Sequence, residues 1–588
     1  MTKLRFPLFF LLAAATGCAT SGTDGTAASS QFPTRAKLAE LAAAPAPAAL
    51  PVDHGVAADG WQLSGPLPDA IEPMQYVDGS PWQTLLAEAA AAHPGLISMT
   101  AAMHCVAQET GKFFLDKHAL PAERLSRFIA GRCGAVSPEV RVNYLEGTVP
   151  DGTSLERIVE HYRPQIVEQL GHALAGGVLQ AGIWLGQRNG RAVVMTSVAP
   201  RRADLATLAL VPPADGRVVI QGQLLEPADH VEAVFNRGRY GFGRCTVDPT
   251  VLLPRFAIRC DVDPADAAAW IEVAAFPAGR ILGRIVASLI VFPGQTPSST
   301  YHDAGYVTRS VTAGADARDQ LLGLLNEVRR GAGLPEVALA TRQSAVAAEV
   351  APHYFAALAG AEPELVADQV VLGLRAGWDV EGDVLNGAFT FGALAKSEDL
   401  GQLLDVVLER PSGREALLAH SARFVAFGPL LAPTQKLIAM VATSYTLFEG
   451  ANHAADAQRV LGRLTKARLD LQMSTPPRAP NLQPEADDAA TKVYKGELTP
   501  KPALERMLKH LAERFAGVGF HGWMFEASSV DDIRFPADLL RATLGGIAVS
   551  VTHYRPKNSP WSRLVIFVVI AGQSSYGLTT ASRDAVTM

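Results

Sequence analysis

The sequence predicts a multi-domain α+β fold made of an N-terminal α/β module, a small β-sandwich, an α-β-α sandwich and a C-terminal α/β module. The chain has 588 residues, more than a single hydrophobic core usually serves. Several segments with apolar residues at helical spacing precede apolar hairpins, whereas one central region contains only short strands between turn residues. These observations favour several modules joined by linkers over one large domain.

The composition is that of a globular protein rather than a disordered or fibrous one. Hydrophobic residues make up 48% of the chain and charged residues 19%, with 51 Gly and 39 Pro. The formal net charge is only −6, so the totals indicate no large basic surface that would bind phosphates. Nucleic acid is therefore not an expected partner.

The N-terminus has the pattern of an export signal. Lys3 and Arg5 precede an apolar stretch over residues 6–15, which is too short to span a bilayer. Residues 1–18 are therefore predicted to be a signal peptide. Residues 19–60, rich in Ala, Ser, Thr, Gly and Pro, are predicted to be a flexible tether.

Cys18 follows the small residues Ala15, Thr16 and Gly17. This pattern resembles the lipobox of bacterial lipoproteins, except that Ala15 stands where that box more often has Leu. The resemblance implies lipidation of Cys18 and a membrane partner through the N-terminal lipid. Ala19 after the cysteine favours the outer membrane, with the body facing the periplasm or the exterior. An ordinary cleaved signal peptide with an incidental cysteine is the alternative.

The other four cysteines fall into two sequence-local pairs. Of the three possible pairings, this locality favours Cys105 with Cys133 and Cys245 with Cys260. Disulfides are expected because exported proteins fold in an oxidising compartment. Four buried thiols are the alternative. The spacings do not suit zinc, since there is no C-x2-C and no nearby His pair.

Local patterns predict the first two modules. The N-terminal α+β module, over 61–204, ends in a hairpin around Asn189-Gly190, a strong turn sequence between two apolar runs. The β-sandwich module, over 205–300, alternates apolar runs with Gly, Pro and Asp turns. Its predicted strands are 217–221, 230–235, 255–261, 270–276 and 285–292.

The third module, over 311–471, opens with an amphipathic helix and a Gly- and Pro-rich stop within residues 321–340, then a second helix from 344. This opening resembles that of the CAP domain, found in cysteine-rich secretory proteins, venom antigens and plant pathogenesis-related proteins. The resemblance implies an α-β-α sandwich over about 311–450. The matching positions are Leu325, Asn326, Arg329, Gly333, Leu334, Pro335, Val346, Ala347, Val350 and Ala351, and in a later phrase Pro411, Ser412, Arg414, Leu417 and Leu418.

The metal site of that family is not expected here. Members of the family that have this site use two His and one or two Glu as ligands. Here Gly413 stands in the place of one His. The motif that supplies a Glu is not recognisable around residues 379–386, where Glu381 and Asp383 are the only acids besides Asp379. His353 lies on the second helix, and one His with one acid does not make a zinc site. The sequence therefore predicts a degenerate CAP domain with no metal, no cofactor and no catalytic residue.

The chain is predicted to end with a Pro-rich linker over 472–489 and a C-terminal α+β module over 490–588. Aromatic residues cluster after a helix of this module, where they form either core or the lining of a pocket. The cluster consists of Phe520, His521, Trp523 and Phe525.

A helix followed by an apolar hairpin occurs three times, with hairpins at 177–198, 424–448 and 545–571. This echo suggests three related α/β modules, although helix-then-hairpin is also a common local arrangement.

Sequence motifs for the commonest hydrolase, nucleotide and dinucleotide sites do not occur in the mature chain. Glu156, Glu160 and His161 are neighbours on a predicted helix, but adjacent positions point in different directions, which indicates a solvated face.

Two functional hypotheses follow. The first is a lipid-anchored cell-envelope protein whose degenerate CAP-like domain acts in binding or structural support, with an envelope protein, a lipid or a glycan as partner. The second is an envelope hydrolase with a site not recognisable from sequence, involving His353 with Glu349, or His521. It predicts a pocket in which a His meets an acid within about 3 Å.

Overall fold

The structure is a computed structural model of the full chain, described for the residues whose placement is defined. Cys18 and the rest of the predicted signal peptide lie outside them. The described residues are 32–47, 55–65, 67–73, 84–85, 88–89, 97–150, 153–173, 178–278, 280–303, 305–307, 309–394, 398–432, 437–448, 452–475, 477–530, 533, 535–542, 545–557 and 559–572.

The chain divides into two compact units. The first unit holds Thr34–Arg375 and Ala388–Ser444, and the second holds Ala376–Gly387 and the residues from Tyr445 onward. Both units mix helices with small sheets, so the α+β class is confirmed at this coarse level. Within the described part of the chain, no helix is long and apolar enough to cross a membrane.

The first unit begins with an α+β module whose four-stranded sheet has the order β2-β4-β5-β3. Its predicted hairpin is confirmed: Asn189 and Gly190 have φ of 54° and 72°, the left-handed values of a two-residue hairpin turn. The elements of this part are α1 Arg35–Ala43, β1 Ala70–Ile71, β2 Ile97–Met99, α2 Ala101–Lys117, α3 Glu123–Arg132, β3 Arg141–Thr148, α4 Leu155–Ala173, β4 Leu179–Arg188 and β5 Arg191–Pro200.

Two four-stranded sheets follow, and all five strands predicted for the β-sandwich module are confirmed. Its two sheets have the orders β11-β12-β8-β6 and β10-β9-β13-β14, and their facing apolar side chains share one core with α2 and α3. Its strands are β6 Ala203–Leu205, β7 Leu208–Ala209, β8 Arg217–Leu224, β9 His230–Arg237, β10 Gly241–Arg244, β11 Thr246–Val247, β12 Arg255–Asp261, β13 Ala269–Phe276 and β14 Arg284–Val291.

The segment from residue 317 to 447, most of which belongs to the first unit, is a second α+β module with the sheet order β15-β17-β18-β16. Its opening helix buries Leu321, Leu324, Leu325 and Val328 on one face, as the helical spacing predicts. The elements are α5 Ala317–Gly331, β15 Ala338–Leu339, α6 Thr341–Leu358, α7 Glu364–Ala376, β16 Val384–Leu394, α8 Leu400–Leu408, α9 Pro411–Leu418, β17 Ala422–Ala432 and β18 Leu437–Leu447.

The second unit is a three-stranded antiparallel sheet of order β19-β21-β20 with helices on both faces. One face of the sheet packs on α10 and α13, and the other on α11 and α12. The elements are α10 His453–Asp470, α11 Gln483–Tyr494, α12 Pro500–Arg514, β19 Gly519–Ala527, α13 Ala537–Arg541, β20 Gly546–Tyr554 and β21 Arg563–Gly572.

These three α+β modules share one topology, as the repeated helix-then-hairpin pattern suggests. We call them repeat 1 (β2 to β5), repeat 2 (α5 to β18) and repeat 3 (α10 to β21). In repeat 3 a bridge between Arg478 and Ile547 takes the place of the short first strand. That first strand is parallel to its neighbour in all three repeats. In each repeat the first strand is followed by two helices, a strand, one or two more helices and a hairpin.

A buried arginine near the end of the first helix is common to repeats 2 and 3. Arg329 on α5 is 0% exposed and Arg468 on α10 is 1% exposed. Each donates to the carbonyl six residues further on and to the carbonyls just before the hairpin strand. The acceptors are Pro335, Leu417 and Ala419 for the first arginine, and Ser474, Leu539, Leu540 and Ala542 for the second.

Three predicted boundaries differ from the structure. Residues 35–43 of the predicted tether form α1, which begins with Thr34 as its N-cap and buries Leu38. Helix α10, assigned to the third module by the boundary at 471, packs Val460 and Leu464 into the core of the second unit. Residues 483–489 of the predicted linker belong to α11, because Pro484 is tolerated in the first helical turn.

A buried ion cluster connects three segments of the first unit. Glu272 on β13 is 4% exposed, lies 3.2 Å from Nη2 of Arg127 on α3, and accepts hydrogen bonds from the backbone and hydroxyl of Ser412 on α9. Nearby, Arg410 pairs with Glu123. Buried charges of this kind require partners, since an unpaired one is costly.

Both predicted disulfides are present. Cys105 pairs with Cys133 and Cys245 with Cys260, and the second bridge joins the two sheets of the sandwich at β10–β11 and β12. Cross-linking over a separation of 15 residues restricts the unfolded chain and so stabilises the folded one.

Replacing Cys245 and Cys260 together with alanine is expected to lower the free energy of unfolding of the first unit by about 3 kcal/mol. Urea unfolding of the oxidised proteins measures this difference. Adding a reductant should lower the stability of the wild type through loss of both bridges, and that of the variant only through loss of Cys105–Cys133. Equal midpoints for the oxidised variant and the wild type would contradict the expected contribution.

Candidate functional site

His353, the histidine considered for metal binding or catalysis, is a buried structural residue. It is 2% exposed, its Nδ1 lies 2.8 Å from Oε1 of Glu362, and its Nε2 lies 3.0 Å from the carbonyl of Ala44. Both ring nitrogens are thus engaged, and Glu349, the suggested partner, is exposed instead. This histidine therefore fixes the end of α1 against α6.

The CAP-like motif positions also make structural contacts. Asn326 exchanges hydrogen bonds with both backbone groups of Val337. Arg414 donates to the carbonyls of Leu408, Gly238 and Gly241. A Cβ at position 413 would lie 2.1 Å from the carbonyl oxygen of Val407, so this backbone admits only the glycine found there.

The aromatic cluster of the second unit is split between the two faces of its sheet. Phe525 and Trp523 pack on the α10 side, whereas Phe520 packs on the α12 side. His521 is exposed. The cluster is mostly core, in agreement with the first of its two interpretations. In the first unit, Glu156, Glu160 and His161 are exposed on α4, as their interpretation as a solvated face requires.

A cavity of about 1040 Å³ lies in the second unit, as a groove along the outer edge of β20. Helices α10 and α11 form its two walls, because they pack on opposite faces of the sheet at that edge. We call it the edge groove. Its polar lining residues include Asp383, His453, Arg478, Gln483, Asp487, Thr491, Ser550, Thr552 and His553, and its apolar ones include Phe448, Leu461, Tyr494 and Val551.

Three titratable side chains form a hydrogen-bonded chain at one end of the edge groove. Nε2 of His553 lies 3.2 Å from Oδ2 of Asp383, and its Nδ1 lies 3.1 Å from Nε2 of His453. If His553 donates to the carboxylate, its Nδ1 must accept, so His453 donates through Nε2. Nδ1 of His453 is then an acceptor, and it is buried without a hydrogen-bond partner among the described residues.

Aromatic rings hold this chain in place. The ring of Phe448 stacks on His553 at 4.9 Å, and Tyr494 meets the same imidazole edge-on at 5.3 Å. Phe448 also donates its backbone N–H to the carbonyl of Asp383 at 3.0 Å. The histidine is thereby fixed from both sides in one orientation.

The edge strand itself contributes backbone groups to the groove. Ile547 donates to the carbonyl of Pro477 and accepts from the N–H of Ala479, both at 2.9 Å, so its backbone points away from β21. Because backbone direction alternates along an antiparallel strand, Val549 and Val551 also point outward. The groove thus presents main-chain donors and acceptors as well as side chains.

Sequence analysis missed this site because its residues are far apart in the chain. Asp383 and His553 are separated by 170 positions, and His453 lies between them, 100 positions before His553. A residue pattern for this combination does not exist, although the helix-then-hairpin echo at 545–571 marks the correct strand. The described residues contain no group of three or more His, Cys, Asp or Glu arranged to hold a metal ion.

The histidine chain makes the stability of the second unit pH-dependent. Burial lowers the pKa of His453, and the neighbouring His553 lowers it further. The unfolded chain therefore takes up a proton near pH 6.5 that the folded chain does not, so the free energy of unfolding should fall below about pH 6.5 and be constant above it.

Chemical unfolding of His453→Gln between about pH 5 and 8 tests this expectation. The variant should lose part of the acid sensitivity of the wild type. His521→Gln, at an exposed position of β19, is the matched control and should keep it. Identical pH profiles for His453→Gln and the wild type would show that the imidazole of His453 does not contribute to the acid sensitivity.

The comparisons with known proteins add no family. The chain matches none of the protein-family models, and a search of curated proteins finds no similar sequence.

Proposed function

We propose that this chain is a lipid-anchored protein of the cell envelope, held by acylated Cys18, whose body acts in binding or structural support rather than in catalysis. The outer membrane is the proposed location, with the body facing the periplasm or the exterior. An envelope protein, a lipid or a glycan is the class of partner from which the ligand comes.

The observation that carries this proposal is the structural use of the CAP-like polar residues. Asn326, Arg329, Ser412 and Arg414 bind backbone groups or a buried carboxylate, and His353 has both nitrogens engaged. Side chains committed in this way hold the fold and are not free to move protons or bind a reacting group. The two disulfides support export, since such bonds form in oxidising compartments.

Replacing Cys18 with Ser is expected to move the protein from the membrane fraction to the soluble fraction of the envelope, because the acyl chains are the proposed anchor. Cell fractionation with immunoblotting measures the distribution. Ser21→Ala, a nearby change that keeps the cysteine, is the control and should stay with the membrane. A Cys18→Ser protein that remains in the membrane fraction would overturn the anchor.

An envelope hydrolase is the second candidate function, and one observation favours it. The contact between His553 and Asp383 at 3.2 Å lies in a cavity, which is the arrangement that this hypothesis predicts. Against it, the hydroxyl of Ser550 donates to Asp487 rather than to a histidine. Turnover of peptide or ester libraries by the purified protein, abolished in His553→Ala, would favour this candidate over the first.

A further inference from the structure

The edge groove runs along the hairpin strand β20 of repeat 3, and repeats 1 and 2 have the same strand edge. In all three, the residue after the first strand donates its N–H to the hairpin strand: Thr100 to Ala181, Ala340 to Val425, and Ala479 to Ile547. These bonds align the repeats residue by residue.

Four residues later, each repeat places a polar side chain on the same strand edge. His104 Nδ1 contacts the carbonyl of Ile183 at 2.7 Å, and Gln483 Nε2 donates to the carbonyl of Val549 at 2.9 Å. In repeat 2 the equivalent Ser344 accepts the N–H of Phe427 at 3.2 Å. In every repeat, the helix that follows the first strand is therefore attached to the strand edge near its start.

In repeats 1 and 2 this helix covers the strand edge, because it approaches the strand closely at a glycine. A Cβ at Gly182 would lie 2.1 Å from the backbone of Met103, and one at Gly428 would lie 2.3 Å from that of Ala347. The helices α2 and α6 thus lie directly on the strand and run for 17 and 18 residues. The next outward position in repeat 2 is Pro429, which has no N–H to offer.

Where the structure describes the chain, repeat 3 leaves the same edge open. Helix α11 has only 12 residues, and neither strand position that faces it is glycine. At this point Ser550 donates to Asp487 at 2.8 Å, so a side-chain hydrogen bond takes the place of the close backbone approach made at a glycine. The outward position equivalent to Pro429 is Val551, which keeps its N–H.

Residues of the chain itself already pair with one end of this strand edge. Pro477 and Ala479 pair with Ile547 in the parallel direction, and the chain then turns away into α11. Beyond Ile547, which is already paired, the edge continues from Val549 to His553 for about 14 Å, at about 3.4 Å per residue. An alternating line of N–H and C=O groups is complementary to another extended backbone, whereas a lipid or a glycan has no such spacing.

We propose that the edge groove binds an extended polypeptide segment of a partner protein, which pairs with β20 as an added strand. This inference rests on the proposed binding function and names its ligand class. Two carboxylates, Asp383 and Asp487, line the groove against one guanidinium, that of Arg478. The groove therefore favours a neutral or basic segment over an acidic one.

Selection of random linear 12-residue peptides against the purified mature protein tests the proposal. Recovered peptides should be depleted in Pro and Asp/Glu and bind with Kd below about 100 μM by fluorescence anisotropy. N-methylation at alternate residues of a recovered peptide should weaken binding about tenfold at each, and at intervening residues should not. Hydrogen exchange should show new protection of the Val551 amide.

Two adjacent exposed alanines on α10 provide a matched pair of variants. Ala454 lines the edge groove, whereas Ala455 does not. Ala454→Trp should fill the groove and weaken peptide binding at least about tenfold, and Ala455→Trp should leave Kd unchanged. Thermal unfolding of both proteins should be similar, since neither side chain is in the core.

Several results would overturn this proposal. They are failure to recover any peptide, equal effects of N-methylation at all positions, or equal binding by Ala454→Trp and the wild type. If vesicles or glycans bind in place of peptides, the ligand class is wrong while the binding function stands. Turnover of the recovered peptides would instead contradict the proposed non-catalytic function.

Discussion

Replacing Arg329 with alanine is expected to lower the free energy of unfolding of the first unit by about 3–5 kcal/mol, because one buried and two half-buried carbonyls lose their donor, at about 1–3 kcal/mol for the buried one and less for the others. The guanidinium binds Pro335 at 2.7 Å, Leu417 at 2.6 Å and Ala419 at 3.2 Å. Its planar fork reaches carbonyls from two separate segments at once, so Arg329→Lys should recover only part of the loss.

Arg330→Ala is the matched control for this prediction. Arg330 follows directly on the same helix, but it is 66% exposed and pairs with Glu336 at the surface. Its removal should change stability by less than about 1 kcal/mol. Urea unfolding followed by circular dichroism measures both variants. Similar midpoints for Arg329→Ala and Arg330→Ala would show that the buried guanidinium has no special role.

Replacing Glu272 with alanine is the second large expected effect, a loss of about 3–5 kcal/mol from the first unit. Its carboxylate pairs with Arg127 and accepts from Ser412, so the change leaves a buried guanidinium without its counter-charge. Arg127 lies 4.0 Å from the centroid of the Trp270 ring, which cannot replace a carboxylate.

A double substitution tests whether the loss of stability comes from leaving one buried charge unpaired or from removing the ion pair itself. Arg127→Met with Glu272→Met should cost less than Arg127→Ala or Glu272→Ala alone, since neither member of the pair is then left buried without its counter-charge. Glu226→Ala removes the 52% exposed partner of Arg202 and is the control, with an expected loss below about 1 kcal/mol. A double variant as unstable as the sum of the single variants would contradict this account.

Local features of the fold could be predicted from the sequence. Asn189-Gly190 has the left-handed φ values that only such pairs adopt readily, and it specifies its hairpin without help from the rest of the chain. Both disulfides follow from proximity in sequence and export, and the strands of the sandwich follow from turn residues. Each of these signals is contained within about 30 residues.

Features that depend on distant residues could not be predicted. Helix α10 lies after the CAP-like segment in sequence, and its apolar stripe of Val460 and Leu464 does not say which sheet it covers. The edge groove depends on the short length of α11 and on Asp383 lying near His553, which no local pattern records. Comparison of Arg468 with Arg329 is the signal that would have identified repeat 3.

The packing of α1 on the first unit limits how much chain can separate the membrane from the folded body. Leu38 is 5% exposed, and the carbonyl of Ala44 contacts His353, so the chain is attached to the first unit from about residue 34 onward. With the proposed lipid on Cys18, only residues 19–34 separate membrane from body. Fully extended, these residues reach about 55 Å, against about 145 Å for a free tether over 19–60. The protein would therefore work close to the bilayer surface that holds it.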